Sequence, residues 1–297
     1  MAFRRKKLGW ITCVIILLAM AVAAVQYCVP DGWQGLFGQS APAVVDGEAV
    51  FHFIDVGQGD AVLICTADGN VLIDAGTGKS EKDLKAYLDA QGIKTIDYAV
   101  FTHPHEDHIG GADMIMQNYK VKNVILPDKT HTSATYNKMM DAIDESGAKV
   151  IIAKPDATYS VGELKMTVLA PLKSSYSELN NYSVVVRVDF GGASAMLTGD
   201  AEDLSEEEMI SRYGYTGKLN CDLLKVGHHG SDSSSTQAFL DKVSPSVAVI
   251  SCGEGNDYGH PHRLILDRLN KSNIPYYRTD LEGSIVFSTD GETFTKK

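Results

Sequence analysis

The sequence predicts an α/β fold in which two β-sheets stack face to face and helices cover their outer sides. Its 297 residues, 44% of them hydrophobic and 22% charged, are enough to bury a large core. Runs typical of strands alternate with runs typical of helices, and this pattern occurs in two similar halves. No interior stretch has the composition of a linker, so we expect one folded domain.

The first half of the chain contains the strands and helices predicted for one sheet and the helical layer that covers it. Apolar runs predict strands at Val50–Val56, Ala61–Cys65, Val71–Asp74 and Tyr98–Phe101. Amphipathic runs predict helices at Glu81–Gln91, Asp107–Gln117 and Ser133–Ser146. Alternation of this kind is typical of layered α/β proteins.

The second half opens with a predicted hairpin, Val184–Phe190 and Ala193–Thr198, whose Gly191-Gly192 turn readily takes positive φ. Helices are then predicted at Leu204–Tyr213, Thr236–Lys242 and Pro261–Lys271. Strands are predicted at Asp222–Val226, Val247–Ser251, Pro275–Arg278 and Ser284–Ser288. Three cysteines within the apolar runs, Cys65, Cys221 and Cys252, are expected to be small core residues.

Residues 1–30 predict a membrane segment. Four basic residues precede Leu8–Val29, which has no charge and is long enough to cross a hydrocarbon core of about 30 Å. Basic residues stay in the cytoplasm, so the chain is expected to be a single-pass membrane protein with its catalytic domain outside. Residues 31–46 read as a linker and residues 47–297 as the folded domain. The alternative is secretion after cleavage of a signal peptide near Ala21-Val22-Ala23.

The net charge of the chain after the predicted membrane segment indicates which binding partners it favours. Subtracting the four basic residues at the start from the net charge of −11 leaves −15 for the remainder. Such a surface repels polyanions at long range, which disfavours a broad nucleic-acid groove, although bound metal ions can reverse the local potential. The sequence indicates no protein partner.

The most specific motif is His103-Pro104-His105-Glu106-Asp107-His108, directly after an apolar strand. Residues two apart in an extended segment project to the same side, so His103 and His105 can share one ion. Asp107 and His108 open the next predicted helix and can face a second ion. Imidazole and carboxylate ligands suit Zn²⁺.

This hexapeptide resembles the signature of the metallo-β-lactamase superfamily, whose fold is a four-layer αββα sandwich. The family pattern implies a bridging acid after a later strand, and Asp200 in Leu197-Thr198-Gly199-Asp200 takes that position. Many members also have a Gly-His-Thr element before this acid. Here Asn180-Asn181-Tyr182-Ser183 stands in its place, and further histidines follow Asp200 instead.

Two other motifs indicate which members of the superfamily the sequence resembles most. Phe53-Ile54-Asp55-Val56-Gly57-Gln58-Gly59-Asp60-Ala61 and Leu224-Lys225-Val226-Gly227-His228-His229-Gly230-Ser231 are similar to those of the hydrolase domain of ComEC-type DNA-internalisation proteins. The same arrangement resembles the phosphorylcholine esterases that act on teichoic acids.

The resemblance implies two divalent metal ions, with Zn²⁺ expected and Mn²⁺ as the alternative. One ion is assigned His103, His105, His229 and Asp200, and the other Asp107, His108, His260 and Asp200. Adjacent residues at a strand end point to opposite sides, so one of His228 and His229 binds metal while the other contacts the phosphate. We assign the phosphate contact to His228 and leave the reverse assignment open.

Residues around the predicted ligands have less specific interpretations. Asp74 is expected to support a ligating histidine. Asp60, in Gly57-Gln58-Gly59-Asp60, is as compatible with turn chemistry as with a role near the metals. Ser231 and Ser233–Ser235 can donate hydroxyls to phosphate, but a helix N-cap is the simpler reading. His52 is expected to be a strand residue, packed or exposed, without a function in the site, and His262 is compatible with a position on a helix surface.

Three functions remain after these observations. The first is an extracytoplasmic phosphodiesterase with Asp107 and His228 as catalytic residues, acting on a cell-wall polymer or a nucleotide. The second is a nuclease that processes DNA during uptake. The third is a non-catalytic binding module of the same fold, which the presence of every implied ligand disfavours. A lactamase or lactonase is disfavoured because the intermediate histidine element is missing.

Overall fold

The computed structural model describes residues Val44–Lys297, and the predicted membrane segment at residues 1–30 lies outside this range. Within Val44–Lys297, no helix is long and apolar enough to span a bilayer.

Strands alternate with helices through the described part of the chain. The strands, in chain order, are β1 Ala49–Phe53, β2 Val62–Thr66, β3 Gly69–Ile73, β4 Thr95–Val100, β5 Lys120–Leu126, β6 Lys149–Ile152, β7 Thr158–Val161, β8 Leu164–Ala170, β9 Val185–Phe190, β10 Ala193–Leu197, β11 Leu223–Lys225, β12 Val247–Ile250, β13 Tyr276–Arg278, β14 Ile285–Thr289 and β15 Phe294–Lys296. The helices are α1 Glu81–Ala90, α2 Glu106–Ile109, α3 Ala112–Asn118, α4 Ala134–Ser146, α5 Asp203–Tyr213, α6 Gln237–Val243, α7 Arg263–Lys271 and α8 Thr279–Glu282. Short 3₁₀ segments occupy Leu179–Tyr182 and Gly227–Gly230.

The strands form two sheets. The first has eight strands in the order β15-β14-β1-β2-β3-β4-β5-β6, and the second has seven in the order β13-β12-β11-β10-β9-β8-β7. Both sheets combine antiparallel pairs with a parallel half, made of β3 to β6 in the first and β10 to β13 in the second. The predicted β9–β10 hairpin is confirmed, with Phe190 paired to Ala193 and Gly191 at a φ of 58°.

Three buried clusters establish the layers. Phe51 and Ile64 of the first sheet share a core with Val186 and Leu223 of the second. The outer face of the first sheet packs on α1, α3 and α4 through residues such as Leu88. The outer face of the second packs on α5, α6 and α7. Two stacked sheets between helical layers form the predicted four-layer sandwich.

The predicted helix at Asp107–Gln117 is wrong as a single element. It is two helices, α2 and α3, separated at Gly110-Gly111. These glycines lie against the loop after β3, where a Cβ on Gly110 would come within 2.2 Å of the Gly78 nitrogen. The backbone N–H of Gly110 donates to the Gly76 carbonyl at 2.8 Å, so this contact replaces continuous helix.

Several strands were absent from the sequence prediction, namely β5 to β8 and β15. β6 and β7 are exposed edge strands with few buried side chains, so they carry little apolar signal. Predicted bounds elsewhere shift by one to three residues. The strand predicted to reach Val56 ends at Phe53, for example.

The parallel halves determine where the chemistry lies. The loops that leave the carboxyl ends of β3, β4, β10, β11 and β12 carry Asp74, the hexapeptide, Asp200, the His228-His229 pair and His260. Open α/β sheets present their functional loops at this edge.

Candidate metal centre

Four side chains from three loops form a compact group at the carboxyl edge of the sheets. Ligand atoms of Asp107, His108, Asp200 and His229 all lie within 4.8 Å of one another. His108 Nε2 is 3.2 Å from Asp200 Oδ1, and His229 Nε2 is 3.2 Å from Asp107 Oδ2. Two imidazoles and two carboxylates in this arrangement suit one divalent ion.

Unpartnered buried atoms support the same reading. His108 Nε2 and Asp200 Oδ1 are buried and have no hydrogen-bond partner among the described residues. Buried polar atoms are otherwise nearly always satisfied, because leaving one unpaired costs about 1–3 kcal/mol. A cation between them would satisfy both atoms, so these residues fit a metal ion.

A second set of histidines faces the other oxygen of Asp200. His103 Nε2 is 3.0 Å from His105 Nδ1 and 3.8 Å from Asp200 Oδ2. His228 Nε2 lies 3.7 Å from the same oxygen. The Asp200 carboxylate therefore stands between two groups of nitrogen atoms, as a bridging ligand would.

The side chain of His229, which the sequence analysis assigns to the ion of His103 and His105, lies nearest to Asp107 of the other predicted ligand set. Its Nε2 faces Asp107 and also lies 3.5 Å from Asp200 Oδ2. We treated His228 and His229 as strand-end residues, but they occupy a turn with φ values of 48° and 55°. The strand alternation on which our prediction rested does not apply there.

The turn at Gly227–Gly230 is strained and tightly packed. Two consecutive non-glycine residues with positive φ are uncommon and are found mainly at functional sites. Gly230 continues the left-handed stretch at a φ of 85°, and a Cβ there would approach Pro261 Cβ to 2.5 Å. Glycine is therefore required where the His228-His229 turn meets the loop that carries His260.

The contact predicted for Asp74 is present. Its Oδ2 accepts a hydrogen bond from His108 Nδ1 at 2.7 Å, and Thr102 donates to the same carboxylate from its backbone nitrogen and its hydroxyl. A histidine that donates its Nδ1–H in this way presents the Nε2 lone pair to an ion. Asp74 thus fixes the ring of His108 in a ligating orientation.

Buried charges shift the protonation equilibria of this group. Burial lowers the pKa of His108, but the carboxylates of Asp200, Asp74 and Asp107 outweigh it and hold that pKa well above its ordinary value. Burial raises the pKa of Asp200, yet His108 and His229 together hold it well below its usual range. The metal-free centre is therefore a cluster of ion pairs, whose protons a divalent cation would displace.

His228 lies at the open side of the site, with 22% of its side chain exposed. Its Nδ1 is 3.4 Å from Glu202 Oε1. Glu202 in turn accepts hydrogen bonds from Asn180, Asn181 and Ser233 at 3.1–3.2 Å. Glu202 is a site residue that the motifs did not indicate, although its position two residues after Asp200 was a usable signal.

His260 is outside the compact group of four. Burial, followed by the neighbouring His229 and His228, lowers the pKa of His260 to about 4, so its ring is neutral. Its ring centroid is 5.6 Å from that of His228 and 5.6 Å from that of the exposed Tyr258, on which it stacks. His260 therefore lines the entrance beside the two groups of ligands.

The predicted bystander histidines take the expected places. His52 is buried and its Nδ1 is 3.0 Å from the Tyr87 hydroxyl. His262 precedes α7, where its Nδ1 accepts a hydrogen bond from the Asp232 backbone. Cys65, Cys221 and Cys252 are free and buried.

The N-cap interpretation of Ser231 and Ser233–Ser235 is wrong, because Thr236 caps α6. Ser234 donates to the Ala201 carbonyl, and Ser235 accepts from the Gly227 nitrogen. The serines therefore fasten the His228-His229 turn to the loop that carries Asp200.

Glu206 anchors the end of this serine loop through hydrogen bonds from the Ser235 and Thr236 backbone nitrogens. Burial raises the pKa of Glu206 to about 7. The folded domain therefore holds this proton more tightly than the unfolded chain does. The stability due to Glu206 is complete below pH 4.5 and is lost as pH rises to about 7.

We expect Glu206→Gln to remove this pH dependence. Between pH 5 and 8 the free energy of unfolding of the variant should rise relative to wild type by about 3 kcal/mol, reaching a plateau above pH 7. Urea unfolding with a chelator present measures the difference, and Glu207→Gln on the exposed face of the same helix is the control. A constant difference between variant and wild type across this range would contradict the assignment.

Comparison with known proteins agrees with this architecture. The model of the metallo-beta-lactamase superfamily matches residues 54–254. Solved structures with the same fold include the metallo-beta-lactamase fold protein YhfI from Bacillus subtilis, with a TM-score of 0.56 and 14% identity over 82% of this chain and 99% of that one. The diiron beta-hydroxylase CmlA from Streptomyces venezuelae also has a TM-score of 0.56, with 14% identity over 84% of this chain and 54% of that one. These likenesses concern the fold alone.

Curated relatives are more similar in sequence. ComE operon protein 3 of Bacillus subtilis is 32% identical over 93% of this chain, and competence protein ComA of Neisseria gonorrhoeae is 31% identical over 91%. The matched region spans only 38% of the length of each relative. Both are ComEC-type competence proteins, as the sequence motifs predicted. With the family model covering most of the described sandwich, the chain belongs to the metallo-beta-lactamase superfamily.

Proposed function

We propose that this chain is a metal-dependent phosphodiesterase with a binuclear centre. The observation that carries the proposal is the position of the Asp200 carboxylate between two groups of imidazole nitrogens: its Oδ1 is 3.2 Å from His108 Nε2, and its Oδ2 is 3.8 Å from His103 Nε2. One group is His108 and His229 with Asp107, and the other is His103 and His105. A shared acid between two nitrogen-rich groups is the arrangement expected for two divalent ions in one site.

Two ions held there, Zn²⁺ or Mn²⁺, would supply an activated hydroxide and bind the non-bridging phosphate oxygens. Asp107, His108, His229 and Asp200 would hold one ion, and His103, His105 and Asp200 the other. His260, which we first assigned as a ligand, is better suited to lining the entrance.

The chain's own residues orient the substrate. His228 is the partly exposed imidazole beside Asp200, and Glu202 contacts its Nδ1, so its Nε2 can contact a phosphate oxygen and stabilise developing charge. Asp107 has a partly exposed carboxylate next to His229, from which a proton could pass to the leaving oxygen.

An assay panel tests this function. Metal-stripped and metal-reconstituted protein would be compared on bis-p-nitrophenyl phosphate, p-nitrophenylphosphorylcholine, single-stranded DNA and nitrocefin. We expect metal-dependent hydrolysis of phosphodiesters and no opening of nitrocefin. Full metal occupancy without hydrolysis of any phosphodiester would favour the non-catalytic binding module.

DNA is the second candidate substrate, and one observation favours it. The exposed ring of Tyr258 stacks on His260 with an interplanar angle of 22°, which leaves its outer face open at the entrance. An exposed aromatic ring beside a phosphate site suits a nucleobase. The relative named competence protein ComA agrees with this choice, while the charge of −15 favours a short single strand over a broad duplex groove.

Tyr258→Ala should then reduce the hydrolysis of single-stranded DNA and leave the hydrolysis of a substrate without a base unchanged. Loss of one stacking contact is expected to lower kcat/KM for single-stranded DNA by roughly 5–100-fold, while hydrolysis of glycerophosphocholine, which has no ring, changes little. Tyr215→Ala is the control, because that tyrosine is 97% exposed on the connection leading to the opposite end of β11. Equal losses on both substrates would indicate that Tyr258 only supports His260.

The extracytoplasmic location also remains a proposal, and it rests on residues 1–30. Protease added to intact, wall-stripped cells should digest the domain, and complete protection would contradict this location.

A further inference from the structure

Lys225 is a lysine in the interior of the domain. It ends β11 with 1% of its side chain exposed, and its Nζ lies 2.8 Å from Asp60 Oδ2. The same ammonium donates to the Val226 carbonyl at 2.8 Å. The proposed mechanism gives this buried ion pair no role.

Asp60 lies directly behind the proposed ligands. Its Oδ1 is 3.4 Å from His229 Nδ1, and its Oδ2 is 4.0 Å from His108 Nδ1. Its backbone nitrogen donates to the Asp107 carbonyl at 3.1 Å. Gly59 lets the chain approach this closely, since a Cβ there would meet the Asp107 oxygen at 2.4 Å.

Fold stability alone does not account for this pair. Burying two charges costs much of what their attraction returns, and well-packed apolar residues of similar volume are often as stable. The pair also adjoins a site crowded with carboxylates, since His108 Nδ1 is 4.0 Å from Asp60 Oδ2 and 2.7 Å from Asp74 Oδ2. Its ammonium offsets the charge that Asp60 adds to this crowded site.

We infer that the Asp60–Lys225 pair is a positioning device for the metal ligand His229. The Ser251 carbonyl, 3.0 Å from His229 Nδ1, accepts the Nδ1–H, and the Asp60 carboxylate lies beside this N–H, with its Oδ1 3.4 Å from the same nitrogen, and attracts it by its charge. The ring then presents its Nε2 lone pair to Asp107 and Asp200. The ammonium of Lys225, 2.8 Å from Asp60 Oδ2, holds this carboxylate in place, and neither charge is left unpaired. The inference rests on the proposed function only in requiring that His229 binds metal.

The double variant Asp60→Asn/Lys225→Met tests this role, because it removes both charges and leaves neither one unpaired. We expect the urea midpoint of the metal-free double variant to stay close to wild type, while Zn²⁺ affinity falls roughly 10–100-fold. Competition with a chromophoric chelator measures the affinity. Asp97→Asn/Lys122→Met is the control, since this pair joins β4 and β5 away from the site and has an Nζ to Oδ1 distance of 2.6 Å.

Zn²⁺ affinity equal to wild type in the double variant would overturn the inference and leave the proposed function intact. Wild-type protein that binds no divalent metal would overturn both. A second measurement needs no variant: nitrogen-15 spectra of zinc-loaded wild type should show His229 protonated at Nδ1 and bound through Nε2. Metal bound through Nδ1 would also overturn the inference, because Asp60 faces that atom.

Discussion

Asp200→Ala is expected to remove both ions from the centre and reduce phosphodiester hydrolysis to background. Within Val44–Lys297, Asp200 is the one acid whose carboxylate faces both groups of nitrogens, so its loss opens both sites together. Metal affinity should fall by more than the roughly 10–100-fold expected for loss of a supporting residue. Elemental analysis of the dialysed variant, with the assay run in parallel, measures both effects.

The control is Asp203→Ala, a neighbouring acid that is exposed at the start of α5. It should retain metal and activity. Retention of one tightly bound ion by Asp200→Ala would show that the carboxylate serves a single site and does not bridge.

His228→Ala and His229→Ala should fail in different ways, although the residues are adjacent. His229 is buried within the group formed by Asp107, His108 and Asp200, so its alanine variant should lose metal. His228 is partly exposed and oriented by Glu202, so its variant should keep both ions. We expect its kcat to fall on the order of 10²–10³, as for loss of an oxyanion donor.

Metal content and kcat of the two variants, measured together, separate these roles, with His131→Ala in the loop before α4 as the control. Metal lost in His228→Ala and retained in His229→Ala would show that the two roles are exchanged.

The parts of the site that the sequence could predict are those encoded locally. The hexapeptide and Asp200 each follow an apolar strand, and parallel strands bring their carboxyl ends to one edge, so their meeting could be expected. Asp74 was predictable for the same reason. Local motifs and sheet topology were sufficient in these cases.

Other features depend on backbone geometry and tertiary contacts, which local sequence patterns do not predict. The direction of His229 follows from left-handed φ values in the turn, which a strand-based argument cannot supply. Lys225 lies within an apolar run that predicts a strand. Its ion pair with Asp60, which is distant along the chain, depends on the tertiary fold. Helices α2 and α3 separate because Gly110 meets the loop after β3, a tertiary contact.

The number of ions bound at full activity tests the central claim most directly. Metal-stripped wild-type protein would be titrated with Zn²⁺ or Mn²⁺ while bis-p-nitrophenyl phosphate hydrolysis and bound metal are both recorded. We expect no activity without metal and maximal activity as occupancy approaches two ions per chain, as for other two-metal sites. Undiminished hydrolysis by protein that elemental analysis shows to be metal-free would contradict the account.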